Sequence, residues 1–283
     1  MRARFTLALA MTMAASAVLM VRAADTKVDL SKETVGKPSK VFQAMVGTWL
    51  VAQEPSTGSG QVGEKVIKID GAAWKAAQTP ATKMLIENAR KLYGTNNEEL
   101  MDNAKAFANF PVAVLNGVDN FSNGTISVKF KTVSGDSDRA SGILFNVKPN
   151  GDWLAIRYND TENNVALWEF HNGIRRNIKF NRDKKFMLDP NCKRNDLGTC
   201  GAWHELKLTL NGADLKAWLD GDLAMEYTLG TEPGPGRNGT PPNEELFPKN
   251  NAVLRPPVMG RIGLWAKTDT TSLFKDFVYS PAK

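Results

Sequence analysis

Apolar and polar side chains alternate with a period of two along much of this chain. From Thr125 to Lys131, and again from His204 to Leu210, every second residue is apolar, which is the pattern of a strand with one buried face. The same alternation, or a short apolar run, predicts further strands. These lie at 47–52, 65–69, 141–147, 153–159, 165–171, 174–180, 215–219, 260–267 and 273–279.

Turn dipeptides separate several of these runs. Asn172-Gly173, Asn211-Gly212 and Asp220-Gly221 each stand between two predicted strands. Residues in such tight turns take a positive φ, which Asn, Asp and Gly accept most readily. Hairpins of this kind predict antiparallel sheets. Many short strands bury their apolar faces most simply in two packed layers, so we expect an all-β antiparallel sandwich.

One segment departs from the strand pattern. Thr79 can cap a helix that begins at Pro80, and Thr95 with Glu98 forms a capping box for a second one. These signals predict a small two-helix insertion at about 79–107. The polar residues 24–42 are interpreted as an N-terminal tail, and 43–283 as the sandwich domain.

The first residues have the pattern of a secretory leader. Arg2 and Arg4 precede an apolar run, and Val21 and Ala23 place small residues at the −3 and −1 positions of a cleavage site. Residues 1–23 are therefore predicted to be a signal peptide, and the protein to be periplasmic or secreted. The alternative is an uncleaved membrane anchor, for which the apolar run is short. No later stretch is apolar enough to cross a bilayer.

Composition excludes several classes of protein. The net charge of +6 falls to +3 when the three arginines of the leader are removed, which is too weak to indicate a nucleic-acid partner. Two histidines, His171 and His204, cannot form a three-histidine zinc site, and two cysteines cannot form a four-cysteine site. Cys192 and Cys200 are expected to form a local disulfide after export, since the Cys-x-x-Cys spacing of a redox pair is absent.

Six sequence blocks carry a family resemblance. They lie at 124–131, 138–146, 152–159, 162–168, 203–207 and 260–277. In content and order they resemble the concanavalin A-like (laminin-G/jelly-roll) domains of secreted bacterial proteins, closest to the 3-keto-disaccharide hydrolase or family-16-like branch. The resemblance implies a two-sheet jelly-roll sandwich. It implies little about function, because such sandwiches serve as lectins, hydrolases and adhesion modules.

One sheet face is the candidate ligand site. If the strands at 153–159 and 260–267 lie in one sheet, its outward face carries Trp153, Arg157, Asn159, Trp265 and Lys267, with Glu169 and His171 as further members. Indoles stack on the apolar side of a sugar ring, and planar polar groups bind its hydroxyls. In the alternative interpretation, Arg157 pairs internally with Glu162 or Glu169, and the tryptophans pack under the helical insertion.

Catalytic and metal sites have fewer signals. The Glu-x-Asp-x-Glu and Glu-x-Asp-x-x-Glu motifs of family-16 glycosidases are absent, so acid/base candidates reduce to Glu169, His171 and Asp269. Because sandwiches of this superfamily often hold calcium at a rim, turn aspartates are calcium candidates, although no calcium-loop motif accompanies them. They are Asp136, Asp138, Asp269 and Asp276. No other cofactor is predicted.

These observations leave three hypotheses. The first is an exported sandwich that binds a glycan or another small polar ligand. The second is a glycoside hydrolase of the 3-keto-disaccharide hydrolase type. The third is an interaction module that docks an envelope protein through the helical insertion.

Overall fold

Two antiparallel sheets make up nearly all of the described structure. The computed structural model describes residues 24–54, 63–76, 110–135, 139–171, 174–186, 201–231 and 255–282. Within these ranges the strands form one sheet of eight and one of seven. One short helix, α1 (Gly71–Ala76), and one 3-10 turn (Lys184–Phe186) accompany them. No helix in the described ranges has the length and apolar character needed to cross a membrane.

The eight-stranded sheet has the spatial order β13-β12-β11-β6-β15-β4-β3, and β1 pairs with one end of β15. Its strands are β1 (Thr26–Lys27), β3 (Trp49–Gln53), β4 (Lys65–Asp70), β6 (Gly124–Ser134), β11 (His204–Asn211), β12 (Asp214–Leu219), β13 (Asp222–Thr228) and β15 (Thr271–Pro281).

The seven-stranded sheet has the order β10-β9-β8-β7-β14-β5-β2. Its strands are β2 (Phe42–Val46), β5 (Val112–Leu115), β7 (Ala140–Val147), β8 (Trp153–Asn159), β9 (Asn164–His171), β10 (Ile174–Asn181) and β14 (Arg261–Ala266). β8 has the predicted bounds.

The core lies between the two sheets. Ile126, Val128 and Phe130 of β6 and Leu206 and Leu208 of β11 are buried, as the alternation predicts. They belong to one apolar cluster that also takes the inward residues of the seven-stranded sheet. This arrangement confirms the all-β, two-sheet antiparallel sandwich. Burial of the facing apolar sides, at about 25 cal/mol per Å², is what holds the layers together.

The hairpin turns follow the dipeptide signals with one shift. Asp220 and Gly221 join β12 to β13 with φ values of 51° and 88°, as a tight primed turn requires. At the other described turn, Asn211 still pairs with Asp214. The turn therefore consists of Gly212 and Ala213, one residue later than predicted.

Three short strands were not predicted. β5 is buried at every position, so it shows no alternation, and β2 is nearly as buried. β1 lies in the segment interpreted as a tail. There Thr26 pairs with Tyr279, and the Lys65 ammonium donates to the backbone oxygens of Ser31 and Glu33.

Several predictions fall outside the described residues. They are the leader at 1–23, the two-helix insertion at 79–107, the Asn172-Gly173 turn, the Cys192–Cys200 disulfide, and the calcium candidates Asp136 and Asp138.

Candidate functional site

The outer face of the seven-stranded sheet, which is the side turned away from the core, carries the predicted ligand residues. On β8, Leu154, Ile156 and Tyr158 point into the core cluster, so Trp153, Arg157 and the other alternate residues point outward. Trp265 of β14 reaches the same face, because it pairs with Gly142, which pairs in turn with Arg157. The structure therefore brings Trp153, Arg157, Asn159 and Trp265 to one face.

Aromatic rings on this face pack around Phe110. Its ring centroid lies 6.0 Å from those of Trp153 and Phe170 and 6.1 Å from that of Trp265. Trp153 and Phe170 stack on each other at 5.1 Å. The register between β8 and β9 places two of these rings together, because Trp153 pairs directly with Phe170. The result is a second apolar layer, separate from the inter-sheet core.

Three cations border the rings. The Arg175 guanidinium lies 4.1 Å from the ring centroid of Trp168 and 4.9 Å from that of Phe110. The Lys267 ammonium lies 5.5 Å from Phe110, and the Arg157 guanidinium lies 5.7 Å from Trp168. Such distances are within the range of cation–π attraction. We call this set the aromatic–cation cluster; it comprises Phe110, Trp153, Trp168, Phe170, Trp265, Arg157, Arg175 and Lys267.

The side chains of the cluster differ in depth. Trp153 and Trp265 are 0% and 1% exposed, whereas Trp168, Arg175 and Lys267 are half-buried. The burial of both indoles agrees with the alternative in which they pack beneath other residues. Yet the Nε1 atoms of Trp153, Trp168 and Trp265 have no hydrogen-bond acceptor among the described residues, although each atom is buried.

Arg157 is held by its neighbours on the sheet. It is buried, and its guanidinium donates to Asn164 Oδ1 at 2.6 Å and to Glu162 Oε2 at 3.1 Å. The ion pair with Glu162 is one of the two internal pairings, with Glu162 or Glu169, that the sequence allows for Arg157. Arg157 thus braces the start of β9 and presents its flat group to the Trp168 ring.

The side chain of Asn159 stabilises the turn between β8 and β9. Its Oδ1 accepts from Thr161 N at 3.0 Å, Thr161 Oγ1 at 2.7 Å and Glu162 N at 3.3 Å. These bonds fix the chain between β8 and β9 and occupy the amide oxygen that was expected to meet a ligand.

Glu169 and His171 lie on the core side, so their expected place on the ligand face is wrong. Glu169 pairs with Leu154 and His171 continues the same alternation. The cause is the β8–β9 register, which sets Trp168 and Phe170 outward instead. Glu169 is fully buried, and Arg176 donates to its Oε2 through Nε at 2.8 Å and Nη2 at 2.6 Å. Burial raises the pKa of the Glu169 carboxyl despite that pairing.

The three acid/base candidates do not converge. His171 Nδ1 lies 2.6 Å from Oδ2 of Asp152, at the end of the sheet where β8 begins. Asp269 lies in the turn after β14, with a φ of 72°, beside the end of β8. Seven residues of strand separate these ends by roughly 20 Å. Asp152 was not predicted, although it directly precedes a strand opposite His171.

The calcium candidates that can be located are also apart. Asp276 belongs to the eight-stranded sheet and pairs with Lys27 at 2.5 Å and Lys129 at 3.0 Å. Asp269 lies in the turn that joins β14 to β15, before the start of the strand that carries Asp276. The described ranges contain no group of three or more metal-ligating side chains.

Sequence reasoning missed Phe110, Trp168, Arg175 and Asn177. Trp168 and Arg175 follow from the register of the β9–β10 hairpin, since Arg175 pairs with Phe170 and Asn177 with Trp168. The turn dipeptide between these strands was the signal that could have placed them. Phe110 precedes β5, a strand without alternation, and no local pattern connects it to the other rings.

Comparisons with known proteins return similar structures only. No family model matches the chain, and no curated protein matches it. The carbohydrate binding module CBM66 from Bacillus subtilis shares 15% identity over 60% of this chain and 80% of its own, with a TM-score of 0.41. The beta-glucanase of Bacillus licheniformis shares 10% over 92% of each chain, with a TM-score of 0.38.

A third similar structure is the galectin LEC-6 of Caenorhabditis elegans, which shares 11% identity over 60% of this chain and 96% of its own, with a TM-score of 0.32. At these values no activity or ligand is transferred from any of the three. The fold rests on the sheet order and pairing described above.

Proposed function

We propose that this chain is an exported glycan-binding sandwich protein whose ligand is held against the aromatic–cation cluster. The observation that carries the proposal is the half-buried part of the cluster on the outer sheet face. There the Arg175 guanidinium lies 4.1 Å from the Trp168 ring centroid, and the Lys267 ammonium lies 5.5 Å from that of Phe110.

The neighbouring groups suit a sugar. The half-buried Trp168 ring offers apolar area to the carbon side of a pyranose, and the half-buried Arg175 and Lys267 lie beside the rings of the cluster. Sites for small ligands combine an apolar lining with a few fixed polar groups in this way. The rigid sheet holds these side chains at set spacings, so little ordering is needed on binding.

Export is part of the same proposal. The residues 1–23 support it through their basic start, apolar run and small-residue exit. A disulfide between Cys192 and Cys200 would then form in the oxidising compartment. We also propose a two-helix insertion at about 79–107 within a sandwich domain that spans 43–283.

A glycan array with the mature chain, residues 24–283, tests the binding function. We expect retention of at least one glycan class by the wild type, and its loss in Arg175→Ala, which removes the guanidinium above Trp168. Lys207→Ala is the matched control, because Lys207 lies 5.4 Å from the Trp218 ring on the other sheet. Its binding should equal that of the wild type. Failure of every glycan to bind, or equal binding by Arg175→Ala, contradicts the proposal.

Glycoside hydrolysis is the second candidate, and a separate observation favours it. Asp152 orients His171 through a 2.6 Å contact, and the pKa of the buried Glu169 carboxyl is raised by burial. A carboxyl group with a raised pKa and an imidazole held in one orientation are groups that general acid/base catalysis uses. Turnover of keto-glycosides that disappears in His171→Gln supports this function; no turnover by the wild type contradicts it.

A further inference from the structure

We infer that Lys148 is a covalent site for a small aldehyde or ketone, such as the open-chain form of a sugar, and that His171 moves the protons of the reaction. The inference goes beyond the proposed glycan binding and does not depend on it. It concerns the end of the seven-stranded sheet at the β7–β8 turn, and it uses side chains that do not belong to the aromatic–cation cluster.

Three neighbouring strands bring the reacting groups together. Across the β7–β8 turn, the backbone N–H of Lys148 donates to the backbone oxygen of Asp152 at 2.8 Å. On the other side of Asp152, the β8–β9 register continues from the pair Trp153–Phe170 to His171. Lys148 and His171 therefore flank Asp152 at the ends of β7 and β9, whose backbones lie about 10 Å apart at two strand spacings. An interval of this size admits a small carbonyl compound between the two side chains.

Asp152 orients the His171 ring. Its Oδ2 lies 2.6 Å from His171 Nδ1 and accepts from Asn150 Nδ2 at 3.1 Å. A carboxylate at Nδ1 fixes the tautomer with the hydrogen on that nitrogen and the lone pair on Nε2. The side chain of Asp152 is 4% exposed and that of His171 is 17% exposed. The imidazole is thus held from its buried side, while part of the ring meets solvent.

Lys148 has the properties of an amine nucleophile. Its side chain is half-buried, and Nζ donates to the backbone oxygen of Met259 at 2.6 Å. Burial lowers the pKa of the Lys148 ammonium, although the Asp152 carboxylate opposes this effect. A lowered pKa leaves a larger share of the side chain as the uncharged amine, which is the form that attacks a carbonyl carbon.

The reaction is imine formation, and it needs neither an oxidant nor a reductant. The Nζ lone pair bonds to the carbonyl carbon, the C=O π pair moves to the oxygen, and one Nζ proton passes through His171 Nε2 to that oxygen. The C–O bond then breaks, and the second Nζ proton reaches the departing hydroxyl through the same imidazole. The electron pair left on nitrogen closes the C=N bond, so the products are the imine and one water.

Reductive trapping of the mature chain tests the inference. The protein is incubated with glyceraldehyde or dihydroxyacetone and sodium cyanoborohydride, which converts an imine into a stable secondary amine, and peptide mass spectrometry follows each lysine over time. We expect Lys148 to be labelled about tenfold or more faster than Lys207 by at least one of the two probes. Lys207 is the internal control, because it is also half-buried but lies on the other sheet beside the Trp218 ring.

Two variants separate the chemistry from simple access to the amine. His171→Gln keeps a polar side chain beside Asp152 but cannot transfer the protons, so labelling of Lys148 should slow about tenfold or more while that of Lys207 stays the same. Lys148→Arg keeps a cationic donor for the Met259 oxygen and removes the nucleophile, so the fast phase of labelling should disappear from the whole chain.

The outcomes are distinct from those of the glycan array. Equal labelling rates at Lys148 and Lys207 with both probes overturn the inference, and so does an unchanged rate at Lys148 in a folded His171→Gln. Either result leaves glycan binding at the cluster as it stands, and a failure of glycan binding leaves the trapping result as it stands. The comparison of the two lysines uses the wild-type chain, so it remains decisive if a variant does not fold.

Discussion

The buried ion pair between Arg176 and Glu169 makes a quantitative prediction about stability. Arg176→Met removes the guanidinium but keeps an unbranched side chain of similar length. Glu169 is 0% exposed and receives both arginine bonds, at 2.8 and 2.6 Å, on one oxygen. The variant therefore leaves a carboxylate buried without its cation.

Breaking a buried pair in this way costs about 3–5 kcal/mol. The double variant Glu169→Leu/Arg176→Met removes both charges and should recover most of that loss, since apolar groups of similar volume replace a buried pair at little cost. Urea unfolding of the mature chain, followed by tryptophan fluorescence, measures the free energy of unfolding of all three proteins.

The loss in Arg176→Met should also depend on pH. The pKa of Glu169 is raised above its ordinary 4.5, and burial is the largest cause. The positive charge of Arg176 and the nearby His171 oppose this rise, whereas Asp152 adds to it. The stability linked to a carboxyl with a raised pKa is fully present below the unfolded pKa and is lost as the pH rises through the folded one. Removing Arg176 raises the folded pKa further. The deficit should therefore shrink on acidification and be smallest below pH 4.5.

A cost under about 1 kcal/mol for Arg176→Met at neutral pH would refute this reasoning. So would a deficit that stays constant, or grows, as the pH falls.

Three further predictions concern single positions. Arg157→Ala should lower the free energy of unfolding by about 1–3 kcal/mol in urea, because Asn164 Oδ1 and Glu162 Oε2 each lose the hydrogen bond that Arg157 donates; no loss would show that the fold does not need these two bonds. Gly142→Ala should be destabilised by about 1–3 kcal/mol or more, since a Cβ would lie 2.1 Å from the Ile156 backbone oxygen, and an unchanged midpoint would contradict that packing. For Asp276, burial alone would raise the pKa, but hydrogen bonds from Lys27 and Lys129 hold it below 3.8. The contribution of Asp276 to the free energy of unfolding is present above pH 3.8 and is lost as the pH falls through the folded pKa. The free energy of unfolding of Asp276→Asn should therefore depend less on acid pH than that of the wild type. An identical pH profile of the two proteins would show that Asp276 does not contribute to acid unfolding.

The fold was predictable where the alternation was clear. β6 and β11 alternate between buried and half-buried residues, so their period of two marks them as strands with one buried face. The turn dipeptide Asp220-Gly221 predicted the hairpin between β12 and β13 of the eight-stranded sheet. β2 and β5 are buried on both sides, and such strands carry no alternation by which to recognise them.

The candidate site was predictable only in part. Trp153, Arg157 and Trp265 could be assigned to one face because their strands alternate. Glu169 could not be assigned correctly, because the side that a strand turns to the core depends on the register with its partner. Leu154 pairs with Glu169, and a one-residue difference in that register would have put Glu169 outside. The buried partner Arg176, which makes this placement tolerable, lies across a hairpin.

The most direct measurement of the central claim is a titration of the mature chain with a retained glycan, followed through its indole N–H signals by ¹⁵N nuclear magnetic resonance. The chain has seven tryptophans, and three of them, Trp153, Trp168 and Trp265, belong to the aromatic–cation cluster on the outer face of one sheet. We expect the signals of Trp153, Trp168 and Trp265 to shift with ligand while those of Trp203 and Trp218 stay in place. Shifts at Trp203 or Trp218 instead, or saturable binding without any change in the first three, would contradict the claim.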